Sequence, residues 1–157
     1  MVQPRIDEQR VLPSFALRGR DGEIFDSVDL RKRKKSLALF LLSQPASSFL
    51  AKLEDAVEEM RQRGAEVVVV CPCGIDRLEE LHRTHRLTSV LLADEKREFF
   101  DRCLEASAEE SACALFVADR SGTVYFRCAG DGPAALPSWD EIKKAIAFVE
   151  SQYTTPK

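Results

Sequence analysis

Five cysteines carry most of the chemistry that this sequence offers. Two stand one residue apart, in Cys71-Pro72-Cys73-Gly74. One thiolate of such a pair could attack a peroxide or a disulfide, and its neighbour could resolve the product. Pro72 removes a backbone donor and stiffens the spacing. A ring closed between Cys71 and Cys73 is strained, hence more oxidising than a relaxed disulfide. A helix starting near Asp76 would lower a thiol pKa through its free amides, and the Asp76 charge opposes that. The competing possibility is a strand-end turn whose cysteines are incidental small hydrophobes. Cys71, Cys73, His82 and His85 are also ligand types suited to tetrahedral zinc. Their spacing argues against it, because His82 falls roughly 9 Å along a helix that the cysteines precede. No metal and no cofactor are expected. Ser43, Ser47 and Ser48 show no histidine pairing, so helix capping by Ser47 or Ser48 is the expected role.

The elements that position these residues follow from hydrophobic period. Ser14–Leu17 and Glu23–Ser27 flank the turn signal at Asp21-Gly22 and read as a hairpin. Leu37–Leu42 and Val67–Val70 are continuous apolar runs, the pattern of strands buried on both faces. Between them Phe49, Leu50, Leu53, Val57 and Met60 recur at helical spacing, and Gly64 ends that helix. Asp76 is expected to cap a helix carrying Leu78, Leu81, His82 and His85. Val90–Leu92 reads as a short strand, and Glu95–Ala106 as a helix with Phe99, Phe100, Cys103 and Leu104 inward. Cys113–Ala118 and Thr123–Cys128 flank Asp119-Arg120-Ser121-Gly122, a second hairpin. Ser138-Trp139-Asp140-Glu141 is a capping box opening a last helix, with Trp139 and Phe148 expected to pack together. A strand–helix–strand unit makes the two apolar strands parallel. The second hairpin is antiparallel within itself, so the class is α/β, a mixed sheet with helices on both faces and an N-terminal β-hairpin.

A chain of 157 residues that is 45% hydrophobic supports one domain with a sizeable core. Residues 1–10 read as a flexible arm and residues 11–153 as the domain. The net charge of −3 does not suggest a nucleic-acid binder, and the basic run Arg31–Lys35 reads as a solvated loop. No apolar run approaches the roughly 18 residues of a membrane span. The polar N-terminus lacks the order of a signal peptide, so a cytoplasmic location with reduced thiols is expected.

Several phrases, taken in order, resemble the peroxiredoxin-like redoxin family of the thioredoxin fold, the alkyl hydroperoxide reductase and thiol-specific antioxidant type. They are Leu12-Pro13-Ser14-Phe15-Ala16-Leu17, Asp21-Gly22, Asp29-Leu30-Arg31, His85 through Asp94, and Phe116-Val117-Ala118-Asp119-Arg120-Ser121-Gly122. The resemblance covers roughly residues 11–150 and implies a thioredoxin-like fold. Relatives place a cysteine motif just after the first core strand. Here Ser43-Gln44-Pro45-Ala46-Ser47-Ser48 holds no cysteine, with Pro45 and Ser48 where a Cys-x-x-Cys would align. Cys113 stands near the position where relatives often carry a proline before the late strand.

On that fold Cys71, Cys73, Cys113 and Cys128 all fall toward the sheet end that bears Gln44–Ser48, where open α/β sheets bind ligands. A two-residue turn at Asp119–Gly122 would set Cys113 opposite Cys128. A type I turn with Gly122 in a bulge would put them on opposite faces, and Asp-x-x-Gly favours the bulge. The expected function is a divergent thiol oxidoreductase with either Cys71 or Cys73 as nucleophile, the other as resolving thiol, and Cys113 as a third member. Its expected partners are a peroxide or disulfide substrate and a thiol reductant protein, with a homodimer compatible with the family. The alternative is a catalytically inactive binding or scaffold module that kept the fold.

Overall fold

The two runs without a polar face become the central strands of the sheet. In the computed structural model, which describes residues 2–19, 21–44, 47–107 and 111–154, the chain runs β1 (Gln3–Pro4), β2 (Ala16–Gly19), β3 (Ile24–Asp26), α1 (Ser27–Lys32) and β4 (Ser36–Leu42). It continues through α2 (Ser47–Gln62), β5 (Ala65–Cys71), α3 (Ile75–His85), β6 (Val90–Ala93), α4 (Glu98–Cys103) and β7 (Leu104–Glu105). The hairpin β8 (Ala112–Ala118) and β9 (Val124–Asp131), a 3-10 turn at Pro133–Ala135 and α5 (Trp139–Thr154) complete it. Seven of these strands form one sheet in the order β3-β2-β6-β5-β4-β8-β9. β4 pairs with β5 and β5 with β6 in parallel, while β8 runs antiparallel to β4. The expectations resting on Pro45 and on the Ser47 cap lie outside the described residues and side chains.

α2, α3 and α5 cover one face, and α1 and α4 with the N-terminal segment cover the other. Alternation along the central strands divides their side chains between the two cores. Phe40, Leu42, Val67, Val69 and Cys71 face the first layer; Leu39, Leu41, Val68 and Val70 face the second. On α2, Leu50, Leu53, Val57 and Met60 are fully buried, and each such side chain contributes about 1.5–3 kcal/mol. The capping box forms, with the Glu141 amide donating to Ser138 Oγ at 3.2 Å.

Three expectations are corrected. The first ten residues are not a loose arm. β1 pairs with β7, Val2 is buried, and the Arg5 amide donates to the Cys103 carbonyl at 2.8 Å. The expected helix over Glu95–Ala106 is α4 alone, because Leu104 and Glu105 leave it to form the strand that receives β1. Trp139 does not pair with Phe148. It stacks on Phe49 at 5.9 Å, while Phe148 is exposed and meets Tyr125 edge-on at 6.3 Å.

Candidate thiol site

β5 ends in the core, and the chain must reverse within three residues to begin α3. The Cys71 carbonyl accepts the Cys73 amide at 2.8 Å, closing a three-residue turn centred on Pro72. Proline suits the centre of that turn, because its φ is fixed and the turn needs no donor there. The same carbonyl accepts the Asp94 amide at 2.8 Å, which ties the turn to the loop after β6. Asp76 is not the helix cap that was expected. The N-cap is Gly74, in an extended conformation with no side-chain cap, and Asp76 lies inside the first turn. The tight turn starts the helix before the Asp.

The reversal brings the two thiols together. Cys71 is fully buried and its thiol donates to the sulfur of half-buried Cys73. That hydrogen bond pushes the two apart in acidity. Cys73 is lowered, first by the bond from Cys71 and then by the Arg77 charge, against burial and the Glu95 charge. Cys71 is raised well above the ordinary thiol range by the same bond, then by burial and the neighbouring charge on Cys73. Of the pair, Cys73 is the thiol that ionises first and Cys71 the one that keeps its proton longer.

Arg77 and Glu95 are charged neighbours of Cys73 that the sequence pattern did not single out. Arg77 lies four residues beyond Cys73 on α3, a spacing that brings side chains to one helix face. Glu95 arrives through sheet register, because β6 sets Ala93 beside Cys71 and the next turn follows. Gly74 makes room for it: a Cβ there would stand 2.9 Å from a Glu95 carboxylate oxygen.

The other cysteines are arranged by β8 and β9. Leu42 pairs with Cys113, and Val70 pairs with Leu41, so Cys71 and Cys113 flank Leu42 from either side. Two strand spacings, about 10 Å between Cα atoms, separate them, which is beyond disulfide reach. Burial pushes the Cys113 thiol up to about 11. Cys113 and Cys128 are not on opposite faces as the turn rule favours. Gly122 does sit at φ 88° with the Asp119 amide bonded to the Thr123 carbonyl, but a second irregularity after Val117 leaves Tyr125 unpaired and restores the parity. Cys113 then pairs with Gly130 and Cys128 with Leu115, as diagonal neighbours on one face. All five cysteines are free. Cys103 lies in the opposite layer, its thiol pushed up to about 12 by burial.

At the end of β4, Ser43 Oγ accepts the Ala112 amide at 2.7 Å, stitching the strand to the start of β8. Ser48 lies exposed in α2 beside a cleft of about 390 Å³ walled by Phe49, Leu136 and Trp139. His82 lines a different cleft, of about 470 Å³, with Asp21, Glu23 and Arg86. His82 therefore faces this cleft rather than the cysteine turn. Among the described residues no three His, Cys, Asp or Glu side chains group to hold a metal ion.

A mixed sheet with this strand order, layered by helices on both faces, is the architecture of a thioredoxin-like domain. Residues 9–127 match the model of the AhpC/TSA family, and the chain belongs to that family. Its fold is similar to that of the peroxidoxin BcpB from Mycobacterium tuberculosis, with a TM-score of 0.73 at 14% identity over 94% of this chain and 98% of that one. It is also similar to a putative thiol:disulfide interchange protein DsbE from Chlorobium tepidum, with a TM-score of 0.68 at 17% identity over 92% and 99%. The mitochondrial 2-Cys peroxiredoxin from Plasmodium falciparum gives 0.73 at 10% identity over 96% and 98%. No curated protein matches the sequence. Among the described residues no helix is long and apolar enough to cross a membrane.

Proposed function

We propose that the protein is a thiol-dependent oxidoreductase that reduces a peroxide or a disulfide at the Cys-Pro-Cys turn. The observation that carries this reading is the hydrogen bond from buried Cys71 to half-buried Cys73 beside Arg77. With a peroxide, the Cys73 thiolate attacks one oxygen and the O–O bond breaks. The departing alkoxide takes a proton, leaving Cys73 as a sulfenic acid. Cys71 then attacks that sulfur, a Cys71–Cys73 disulfide forms and water leaves. With a disulfide substrate, a mixed disulfide on Cys73 replaces the sulfenic acid, and Cys71 displaces the second thiol. An external thiol reductant, such as a reductant protein, returns both cysteines to the starting state. Cys113, expected as a third member, serves here as a protonated neighbour of Cys71. The free thiols suit a reducing compartment such as the cytoplasm.

A binding module without catalysis is the second reading, favoured by the cysteine-free segment Ser43–Ser48. Peroxide and disulfide consumption by the purified chain, with a dithiol reductant supplied, separates the two. Cys73→Ser should abolish turnover, Cys71→Ser should allow a first attack only, and Cys113→Ser should leave the rate within about twofold. Turnover unchanged in Cys73→Ser, or absent from the parent, refutes the catalytic reading.

A further inference from the structure

Cys73 has one charge of each sign within electrostatic reach, and they come from different elements. Arg77 belongs to the first turns of α3, where its amide donates to the Gly74 carbonyl at 3.2 Å. Its guanidinium uses one donor on Glu80 at 3.1 Å and remains 44% exposed, so donors are left for a ligand. Glu95 is exposed, and its carboxylate rests against the Cα of Gly74, next to the nucleophile. A disulfide that bears only anions gains Arg77 and meets Glu95. One that bears only cations gains Glu95 and meets Arg77. A neutral disulfide uses neither. Only a substrate carrying both charges close to its sulfur satisfies both groups.

We propose that the site takes a small zwitterionic disulfide of the amino-acid type, with Glu95 receiving the ammonium and Arg77 the carboxylate. This rests on the reading of Cys73 as nucleophile and adds the substrate class. In such a disulfide the carbon bearing both charged groups is separated from the sulfur by a single methylene. Contact between that sulfur and Cys73 therefore brings both charges toward the two charged side chains that act on the nucleophile. A disulfide inside a polypeptide has lost both charges to peptide bonds, so the pair of contacts selects the free amino acid over a protein disulfide. The step balances without another reagent. Cys73 attacks one sulfur of RSSR, the first RS⁻ leaves and is protonated, and Cys71 displaces the second as the Cys71–Cys73 disulfide forms. Two electrons pass from the dithiol to the substrate, and the two thiol protons end on two RSH.

The test uses the full-length reduced chain in single turnover with four probes. They are cystine (zwitterionic), cystamine (cationic), dithiodipropionate (anionic) and hydroxyethyl disulfide (neutral). Each rate is divided by that of mercaptoethanol with the same probe, which removes intrinsic reactivity. Adduct formation on Cys73 is read by mass spectrometry. Cystine should give the largest ratio, exceeding the neutral probe by about threefold to fivefold for each ion pair, with the advantage shrinking at high salt. Relative to the neutral probe in the same variant, Glu95→Gln should lose the advantage for cystine and cystamine and gain for dithiodipropionate. Arg77→Gln should lose it for cystine and dithiodipropionate. Gly74→Ala, which displaces the Glu95 carboxylate, should behave like Glu95→Gln. Equal ratios across the four probes, or a cystine ratio no higher than both singly charged probes, overturn the substrate assignment while Cys73 still reacts. Reaction unaffected by Cys73→Ser overturns the nucleophile itself.

Discussion

Alkylation of each cysteine across pH, in the parent and in Cys71→Ala, tests the electrostatics of the site directly. Only the thiolate reacts, so the rate at each position follows exposure and the fraction ionised. The ordinary thiol value is 9.0, and burial holds Cys113 at about 11 and Cys103 at about 12. Two and three pH units correspond to about hundredfold and about thousandfold less thiolate near neutral pH than an ordinary cysteine. Restricted access slows both further, since Cys113 is 2% exposed and Cys103 0%. Cys73 departs in the other direction and is half-buried, so it should react faster than a small-molecule thiol of ordinary acidity. The order expected near neutral pH is Cys73 far ahead, then Cys128, then Cys113 and Cys103. Removing the Cys71 thiol deletes the largest influence that lowers Cys73, so the Cys73 midpoint moves upward in Cys71→Ala. The assay is a short pulse of iodoacetamide, then denaturation, a second isotopic label and peptide fragmentation to resolve Cys71 from Cys73. Cys113 or Cys103 reacting as fast as Cys73, or a Cys73 midpoint unmoved in Cys71→Ala, would refute the reasoning.

Two further predictions concern stability. Because Cys103 is raised on folding, the unfolded chain releases its proton first. Its contribution is intact below pH 9 and declines as pH rises toward 12, at about 1.4 kcal/mol per pH unit. Urea titrations on either side of pH 9 should show a shallower alkaline loss in Cys103→Ala, and an identical loss in both proteins sinks the assignment. A Cβ on Gly130 would overlap that of Ala135 in the 3-10 turn, so Gly130→Ala should cost about 1–3 kcal/mol. Adding Ala135→Gly should return most of it. Denaturation curves of the two single variants and the pair measure the coupling, and simple additivity would count against the contact.

Legibility in the sequence followed the length over which a pattern repeats. β4 and β5 were evident because six and four consecutive apolar residues leave no polar face, and both strands are buried almost throughout. The last helix was evident from its capping box. The short pieces were not: α1 has six residues, and β1 and β7 two each, too few for any period to show. Their stability comes from partners distant in sequence. The Cys-Pro-Cys pair was visible as a motif, but which thiol ionises was not. That depends on burial of Cys71 at a strand end, on its hydrogen bond to Cys73 and on the Arg77 charge, against Glu95, which approaches because β6 lies beside β5. Arg77 left a usable signal in its four-residue spacing from Cys73.

The β8–β9 hairpin shows why local rules alone misplace a thiol. Asp119-x-x-Gly122 specifies the turn, and the structure has the bonds this chemistry predicts, with Asp119 Oδ1 accepting the Ser121 and Thr123 amides at 2.8 and 2.9 Å. Those bonds fix side-chain parity only until the next irregularity. Tyr125 is the extra residue, and its ring meets Phe148 on α5, a residue more than twenty positions away. One unpaired residue shifts every later side chain of β9 to the other face. Cys128 therefore joins Cys113, Cys71 and Cys73 on the layer under α2, α3 and α5. The shared face concentrates four thiols at one end of the sheet, yet register keeps Cys71 and Cys113 two strands apart. The thiol–thiol hydrogen bond lies in the turn where Pro72 folds Cys73 back onto Cys71, and there a half-buried thiol feels the Arg77 charge.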